Sequence, residues 1–381
     1  MRSWRLISSL AGLAVKIEQE LTTLMSVLIF SLTLLTFLIA TFNFFTIRRP
    51  RNGDAVLNSV TVIVPMRNEA ENVIECIAAL ADQSSVPNLR FLIINDASTD
   101  KTGELIASAI AGDKRFTLID SPALAPGWLG KVGALQSGYQ AADSEFIVTI
   151  DADVRLHHHA LARGLNQIKD LELDFISPYP RQIMGTFVEK MVQPLLHWSW
   201  MSTVVLRVAE KFPLRSTAIA NGQFFIVRKR ALDEVAGFTT VQDQILDDIE
   251  IARSLIAAGF RGIVTEGSTL ASTRMYSSFS EIRNGYGKSL WKAFGGRIGS
   301  LAAISFIFLT GIAPMILALN GYIIGVIAYL LSVLTRELSA LRSRSNPTYA
   351  FLHPISSALL IFLILYSWRR RKQISWKGRS I

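Results

Sequence analysis

Short runs of β-branched and aromatic residues alternate with amphipathic stretches from Val60 to about Gly267, and this alternation limits the possible fold more than any other feature. Five runs have strand character, at residues 60–64, 91–95, 116–119, 146–150 and 175–177. Four stretches with helical periodicity lie between them, at residues 70–81, 103–111, 131–142 and 160–171. We expect a further strand at residues 221–227 and a further helix at residues 247–258. This pattern predicts an α/β fold with a doubly wound, mostly parallel sheet.

Long apolar segments flank this region on both sides. Residues 21–47 are almost unbroken and uncharged, which is long enough to span a bilayer. Arg48, Arg49 and Arg51 follow directly, so the positive-inside tendency places this end in the cytoplasm. Residues 298–335 have room for two short spans, and residues 349–368 for another. We therefore predict a multi-pass protein of the cell membrane with its α/β domain in the cytoplasm.

The topology of the C-terminal part remains open at this level. A hairpin in residues 298–335 would leave the basic tail outside the cytoplasm, against the positive-inside tendency. If residues 298–335 instead cross the bilayer once and include a re-entrant segment, the basic tail lies in the cytoplasm. The length of the segment favours the hairpin. The expected divisions are an N-terminal segment and anchor (1–47), a linker (48–59), the α/β domain (60–270), an interfacial amphipathic segment (271–297), transmembrane segments (298–368) and a basic tail (369–381).

The composition argues against an intramolecular disulfide and against a nucleic-acid partner. Cys76 is the single cysteine, so no intramolecular disulfide can form. The net charge of +9 comes partly from basic clusters beside apolar segments, which suit an anionic membrane face. Because no basic stripe is interleaved with aromatic residues, we expect no nucleic-acid partner.

Residues 187–212 look like one long helix, suited equally to the membrane surface or to core packing.

Two carboxylates, Asp151 and Asp153, follow the apolar run at residues 146–150. Residues i and i+2 of an extended segment share a face, and ligands of open α/β sheets bind at the carboxyl ends of the strands. Paired carboxylates suit a hard divalent cation, Mg2+ or Mn2+. An Asp-rich turn is the alternative interpretation.

Polar residues also follow the first two strands and open the third helix. Glu69, Asp96 and Asp100 can accept from the NH of a base and from ribose hydroxyls, or can simply cap helices. Lys131 follows a glycine-flanked loop at a helix start, where backbone amides and an ammonium group can contact phosphate oxygens. The glycine spacings of dinucleotide-binding and Walker loops are absent.

Four motifs together resemble the successive motifs of family 2 glycosyltransferases, which have the GT-A fold. They are Pro65-Met-Arg-Asn-Glu69, Asn95-Asp-Ala-Ser-Thr-Asp100, Gly130-Lys131 and Asp151-Ala-Asp153. The resemblance covers residues 60–291. It implies a nucleotide-sugar donor contacted by Glu69, Asp96 and Asp100, a diphosphate-side contact from Lys131, and a metal bound by Asp153 with support from Asp151.

The family also carries a Glu-Asp pair at a later helix start, whose Asp is the catalytic base. The matching residues here are Asp247 and Asp248, which implies Asp248 as the base. Asp243, Asp247 and Glu250 remain alternatives. An acidic helix N-terminus, favoured by the helix dipole, is the purely structural interpretation.

Further motifs resemble the carotenoid and hopanoid branch of the family: Asn221-Gly-Gln-Phe224, residues 126–131 and Arg274-Met-Tyr276. The Gln-x-x-Arg-Trp motif of processive polysaccharide synthases is absent. The resemblance implies transfer of a sugar, with UDP-glucose as the favoured donor, to the hydroxyl or carboxyl end of a carotenoid or similar isoprenoid lipid. The residues expected on the acceptor side are Gln223, Asp247, Arg274 and Trp291. The alternatives are a polyprenyl phosphate, hopanoid or glycerolipid acceptor, a membrane nucleotidyltransferase, or a non-catalytic scaffold.

Overall fold

A seven-stranded sheet forms the centre of the computed structural model, which describes residues 2–51, 53–371, 375, 376, 379 and 380. The sheet order is β3-β2-β1-β4-β8-β6-β9, and β5, β10 and β7 form a smaller sheet. β8 runs antiparallel to both its neighbours, and the other pairs of the large sheet are parallel. The strands are β1 (Val60–Met66), β2 (Leu89–Asn95), β3 (Phe116–Asp120), β4 (Phe146–Ile150), β5 (Val154–Leu156), β6 (Phe175–Tyr179), β7 (Arg181–Gln182), β8 (Phe224–Arg228), β9 (Gly262–Glu266) and β10 (Ala271–Thr273).

Helices cover both faces of the large sheet and continue into an apolar C-terminal part. The helices are α1 (Arg2–Thr46), α2 (Val73–Ala81), α3 (Thr102–Ala109), α4 (Gly130–Ala141), α5 (Ala160–Asp170), α6 (Phe187–Val192), α7 (Pro194–Thr203), α8 (Leu206–Lys211), α9 (Lys229–Glu234), α10 (Asp247–Ala257), α11 (Phe279–Ala293), α12 (Arg297–Ile307), α13 (Ala313–Leu319), α14 (Ile323–Arg342) and α15 (His353–Arg370). A π-helix (Phe308–Ile312) joins α12 to α13, and a 3-10 helix (Pro347–Leu352) leads into α15.

Alternation along each central strand builds two apolar cores. On β1, Val62 and Val64 face the core that α2 and α5 cover, whereas Ile63 faces the core beneath α4 and α10. All three side chains are fully buried. A strand covered on both faces reads as a continuous apolar run. This continuous apolar pattern is the reason why the strands could be predicted from the sequence.

The predicted mixed α/β architecture is confirmed, and the predicted strands and helices lie within a few residues of the observed ones. One prediction is wrong: residues 187–212 form three short helices rather than one. Pro194 starts a new helix because it has no amide hydrogen to continue α6, and the chain is extended at Val204 and Val205. Trp198 and Trp200 are buried, so this segment packs inside the protein.

In the part of the chain that the structure describes, four helical segments are long and apolar enough to cross a membrane: Lys16–Thr46, Arg297–Leu319, Ile323–Arg342 and Pro347–Arg370. The expected two helices within residues 298–335 are present, joined by a turn at Gly321, whose φ of +84° suits a glycine. At the other end of α14, Arg342 donates to the carbonyl of Phe44 near the end of α1. The ends of α1 and α14 therefore lie side by side.

α15 runs antiparallel to α12 and returns towards the catalytic domain. Near its start, Ser357 packs against Gly311 of the π-helix. Near its end, the indole of Trp368 donates to Ser300 Oγ, 2.8 Å away, and Ser367 Oγ donates to the carbonyl of Gly287 in α11, also 2.8 Å away. The described start of the basic tail, at residues 369–371, thus lies beside the start of α12. The tail prediction for residues 372–374, 377, 378 and 381 falls outside the described residues.

Candidate active site

The carboxyl end of β4 meets the start of α4 through an ion pair. Lys131 Nζ lies 2.6 Å from Asp151 Oδ1, and both side chains remain about one quarter exposed, at 24% and 28%. Burial alone would lower the pKa of Lys131, but the carboxylates of Asp151, Asp247 and Asp248 hold that pKa above its usual value. Lys131 is therefore a fixed cation among three carboxylates.

Asp153 lies deeper in the same edge. Burial, followed by the negative charge of Asp151, raises the pKa of Asp153 to about 6. Mutual repulsion of this kind marks a place where a cation would be stabilised. The two carboxylates offer the hard oxygen ligands that Mg2+ and Mn2+ prefer, so they fit a divalent metal. Among the described residues, no group of three or more His, Cys, Asp or Glu side chains is arranged to hold a metal. A cation here would therefore take its remaining ligands from water or from a bound phosphate.

The first turn of α10 presents Asp247 and Asp248 to this cleft. Asp248 Oδ2 accepts from the amide of Gly222, 2.7 Å away, and Oδ1 accepts from the amide of Ile249, 2.8 Å away. Burial and the charge of Asp247 raise the pKa of Asp248 to about 6 despite these hydrogen bonds. Burial also raises the pKa of Asp247, which Lys131 opposes. A carboxylate with a pKa near 6 is suited to accept a proton at neutral pH.

The structure separates the two other acidic candidates from this pair. Glu250 Oε1 lies 2.6 Å from Arg253 NH1 in an ion pair. Asp243 is exposed, and its Oδ1 accepts from the side chain of its neighbour Gln244, 2.6 Å away. The contacts of the first helical turn therefore favour Asp247 and Asp248 over these alternatives.

The ends of β1 and β2 form the neighbouring part of the edge. A guanidinium nitrogen of Arg67 donates to the carbonyls of Asp96 and Ala97, each 2.7 Å away. Ala97 has a φ of +47° and Asn68 a φ of +50°, which are left-handed conformations. For an alanine this conformation costs roughly 1–2 kcal/mol. Strained backbone that is held by specific hydrogen bonds is common where a ligand binds.

Two predicted nucleotide contacts also have structural roles. Glu69 Oε2 accepts from the side chain of Asn72, 2.8 Å away, and the amide of Glu69 donates to Thr102 Oγ1. Asp100 accepts from the amide of Thr102, 3.0 Å away, at the start of α3. Slight burial would raise the pKa of Asp100, but hydrogen bonds from Thr102 and Ala70 lower it. Glu69, Asp96 and Asp100 lie on one sheet edge, as predicted, and their contacts to a nucleotide remain a prediction.

The residues predicted on the acceptor side have different surroundings, and their contacts to an acceptor remain a prediction. Gln223 is buried, and its Oε1 accepts from the side-chain amides of Gln182, 2.8 Å away, and Asn221, 3.1 Å away. The backbone carbonyl of Gln223 accepts from the backbone amide of Asp151, 3.3 Å away, so Gln223 helps to position Asp151 in this structure. Arg274 is exposed and lies against Gly185 at the start of α6. The ring of Trp291 lies edge-on to that of Trp368, with 6.1 Å between centroids.

Two further side chains face the cleft, Tyr276 and Lys288. Tyr276 belongs to the predicted motif Arg274-Met-Tyr276, but neither residue was among the predicted site residues. Burial and the positive charge of Lys131 lower the pKa of Lys288, whereas Asp247 and Asp151 oppose that shift. Burial raises the pKa of Tyr276, and the charge of Asp153 adds to the shift. Both residues come from the segment after β10, so α11 closes one side of the site. A lysine on an amphipathic helix gives no sequence signal that would reveal this position.

Comparisons with known proteins agree with this geometry. The family model described as "Glycosyl transferase family 2" matches residues 61–236. The 4,4'-diaponeurosporenoate glycosyltransferase of Staphylococcus haemolyticus (strain JCSC1435) is 23% identical over 364 residues, covering 87% of this chain and 90% of that protein. Glycosyltransferase GlyG of Streptococcus pneumoniae serotype 4 is 23% identical over 120 residues, which are 31% of this chain and 37% of that protein.

A solved structure shares the fold. Mannosyltransferase PcManGT from Pyrobaculum calidifontis, in complex with GDP-Man and Mn2+, superposes with a TM-score of 0.57 at 19% identity. The alignment covers 92% of this chain and 97% of that one. The similarity therefore includes the helical parts as well as the sheet, and it supports the predicted GT-A fold.

Proposed function

The chain carries a family 2 glycosyltransferase domain and is a glycosyltransferase, and we propose that it moves a sugar from a nucleotide-sugar donor to a membrane lipid with inversion at the anomeric carbon. The proposed acceptor is the hydroxyl or carboxyl end of a carotenoid or similar isoprenoid lipid. The proposed donor is UDP-glucose.

The position of α11 is the observation that supports a lipid acceptor. Lys288 on this helix is close enough to Asp247 and Asp151 for its pKa to respond to them. The adjacent Gly287 accepts a hydrogen bond from Ser367 of α15, a helix in the apolar part. A single helix therefore lies between the reacting carboxylates and the candidate membrane segments. An acceptor whose polar end reaches the cleft while its apolar chain stays in the bilayer fits this arrangement.

The chemistry follows from the carboxylates of the cleft. The acceptor oxygen attacks the anomeric carbon, the bond from that carbon to the diphosphate breaks, and Asp248 accepts the proton of the acceptor. The amides of Gly222 and Ile249 orient the Asp248 carboxylate for this transfer. Lys131 and Lys288 contribute positive charge on the leaving-group side. A divalent cation held by Asp153 and Asp151 would neutralise charge that develops on the departing diphosphate.

The proposed location is the cell membrane, with the catalytic domain in the cytoplasm. In this topology α1, the segment from α12 to α13, and α14 cross the bilayer. α15 re-enters from the catalytic side, because its end lies beside the start of α12 and beside α11. Arg369 and Arg370 then lie on the same side as Arg48 and Arg49, in agreement with the positive-inside tendency. With a re-entrant α15, the predicted hairpin in residues 298–335 is compatible with a basic tail in the cytoplasm.

Mass spectrometry of lipid and pigment extracts from the host, with and without the gene, tests the proposal. The expected result is loss of a glycosylated carotenoid and accumulation of its free hydroxy or carboxy form. The purified enzyme should then restore the product from UDP-glucose and the accumulated lipid. Loss of a glycosylated polyprenyl phosphate, hopanoid or glycerolipid instead would overturn the proposed acceptor but leave the glycosyltransferase activity in place.

A further inference from the structure

A cluster of buried polar side chains lies within the apolar helices, away from the carboxylate cleft. It contains Arg336 of α14, His353 and Ser357 of α15, and Trp198 of α7. Arg336 and His353 are 2% and 1% exposed, and Ser357 is fully buried. Intramembrane ionisable residues are rare because they are costly, and they usually mark a functional site.

Arg336 provides the positive charge of this cluster. One terminal nitrogen donates to the carbonyl of Met191 at the end of α6, 2.6 Å away, and the other lies 3.5 Å from His353 Nδ1. Among the described residues, no carboxylate forms an ion pair with Arg336. A buried guanidinium contacted by one carbonyl and one imidazole keeps an uncompensated charge.

Three further polar atoms of the cluster have no hydrogen-bond partner among the residues that the structure describes: His353 Nε2, Ser357 Oγ and Trp198 Nε1. They are close to one another. The rings of Trp198 and His353 lie 5.0 Å apart between centroids. A β-carbon at Gly311 would overlap the Ser357 hydroxyl and lie 3.4 Å from His353 Nε2. Buried polar atoms in native proteins are almost always paired, so these atoms indicate a missing acceptor.

The backbone beside the cluster is also irregular. Gly311 belongs to the π-helix Phe308–Ile312, and π-helical turns occur frequently at functional sites. Ser332 of α14 donates to the carbonyl of Thr310 in this turn, 2.7 Å away. The absence of a side chain at Gly311 lets Ser357 and His353 pack directly against this turn.

The depth of Arg336 fits the headgroup region of a bilayer. Arg336 lies six residues before the end of α14 at Arg342, which corresponds to about 9 Å along a helix. That end of α14 contacts Phe44 at the end of α1. A guanidinium binds phosphates and carboxylates through parallel hydrogen bonds, so a headgroup that inserts between the helices at this level would meet Arg336.

We propose that Arg336, His353, Ser357 and the indole of Trp198 form a binding site for the anionic oxygen group, phosphate or carboxylate, of a membrane amphiphile. The phosphate of a phospholipid and the carboxylate of a long-chain acid both have this chemistry. The site binds without a nucleotide sugar, so it stands apart from the proposed transfer reaction.

Native mass spectrometry of the purified full-length protein tests the site, with dioleoylphosphatidylglycerol and oleate as probes and excess phosphatidylcholine as competitor. We expect one tightly bound anionic amphiphile that the competitor does not displace. Arg336→Met should weaken binding by about tenfold to a hundredfold, since it removes charged hydrogen bonds. The matched control is Arg344→Met, which removes the same charge from an exposed position after α14 and should change nothing.

Two milder variants keep the test decisive if Arg336→Met does not fold. Trp198→Phe and Ser357→Ala each remove one polar group, and each should weaken binding by about threefold to tenfold with unchanged thermal unfolding. Preferential binding of phosphatidylglycerol would identify a phospholipid as the occupant, whereas preferential binding of oleate would identify a carboxylate lipid. The absence of a tightly bound amphiphile from the wild-type protein, or equal binding by all variants, would overturn the proposal.

Discussion

The amide of Gly222 donates to Asp248 Oδ2 across 2.7 Å, so the chain just before β8 fixes the orientation of a carboxylate at the start of α10. A β-carbon at Gly222 would lie 3.2 Å from Lys131 Nζ and 3.3 Å from Asp248 Cβ. The position therefore joins three elements of the cleft at a separation that only glycine allows without displacement.

Asp248→Asn should reduce turnover by about a hundredfold to ten-thousandfold, because the amide cannot accept the proton of the acceptor. Calorimetry should show nearly unchanged binding of the nucleotide sugar. Asp243→Asn is the matched control, since Asp243 is exposed and bonded to Gln244. If Asp247→Asn were inactive and Asp248→Asn active, the base would be Asp247.

Gly222→Ala should lower kcat by about tenfold or more with an unchanged melting temperature. The added methyl group must displace Lys131 or the Asp248 carboxylate by a few tenths of an ångström, and small misplacements of catalytic groups reduce rates strongly. Steady-state kinetics and thermal unfolding check this prediction. An active Gly222→Ala enzyme would show that the close packing has no influence on the reaction.

The activity should fall as the pH decreases through about 6. The pKa of Asp248 is raised from 3.8 to about 6, and a general base works only when it is deprotonated, so the active form is lost below that pH. The measurement is kcat/KM against pH at saturating Mn2+, which suppresses proton competition at Asp153. An acid limb near pH 4 would indicate a carboxyl group with an ordinary pKa as the base.

Chelation by EDTA should abolish transfer, and Mn2+ or Mg2+ should restore it. Asp153→Ala should raise the metal concentration needed for half-maximal activity by about tenfold or more, because it removes one of the two carboxylates proposed to hold the metal. The control is Asp54→Ala, which changes an exposed carboxylate in the linker. Full activity after exhaustive chelation would show that Lys131 and Lys288 suffice for charge neutralisation.

The proposed topology predicts the labelling of single introduced cysteines. Cys76 is buried, so it should not react in the native protein. Arg370→Cys should react with an impermeant maleimide from the same side as Asp54→Cys, and Asn320→Cys should react from the opposite side. Labelling of residues 320 and 370 from one side would contradict a re-entrant α15.

The strands of the large sheet could be predicted because burial on both faces leaves continuous runs of β-branched residues. The carboxylates at the ends of β1, β2 and β4 could be predicted because the polar residues follow directly where those runs end. The strands β5, β7, β9 and β10 were not predicted. β9 contains polar residues, and β5, β7 and β10 are each only two or three residues long. β9 pairs with β6, and β10 pairs with β5 and β7. Long-range pairing of this kind leaves little local signal.

Residue roles were harder to predict than positions. Gln223 was expected on the acceptor side, which remains a prediction, and its Oε1 accepts from Gln182, a partner distant in sequence that no local pattern indicates. Lys288 gave no signal, because its approach to Asp247 depends on how α11 packs. A sequence shows which side chains can form hydrogen bonds or ion pairs, and only tertiary structure shows which partners they meet.

Adjacent residues of α11 connect two environments, since Gly287 is bonded to α15 and Lys288 faces the carboxylates. In the proposed topology, a thinner or thicker bilayer would shift α15, and the bond to Gly287 would pass this shift to the neighbouring Lys288. We therefore expect the reaction rate to depend on the acyl-chain length of the surrounding lipids.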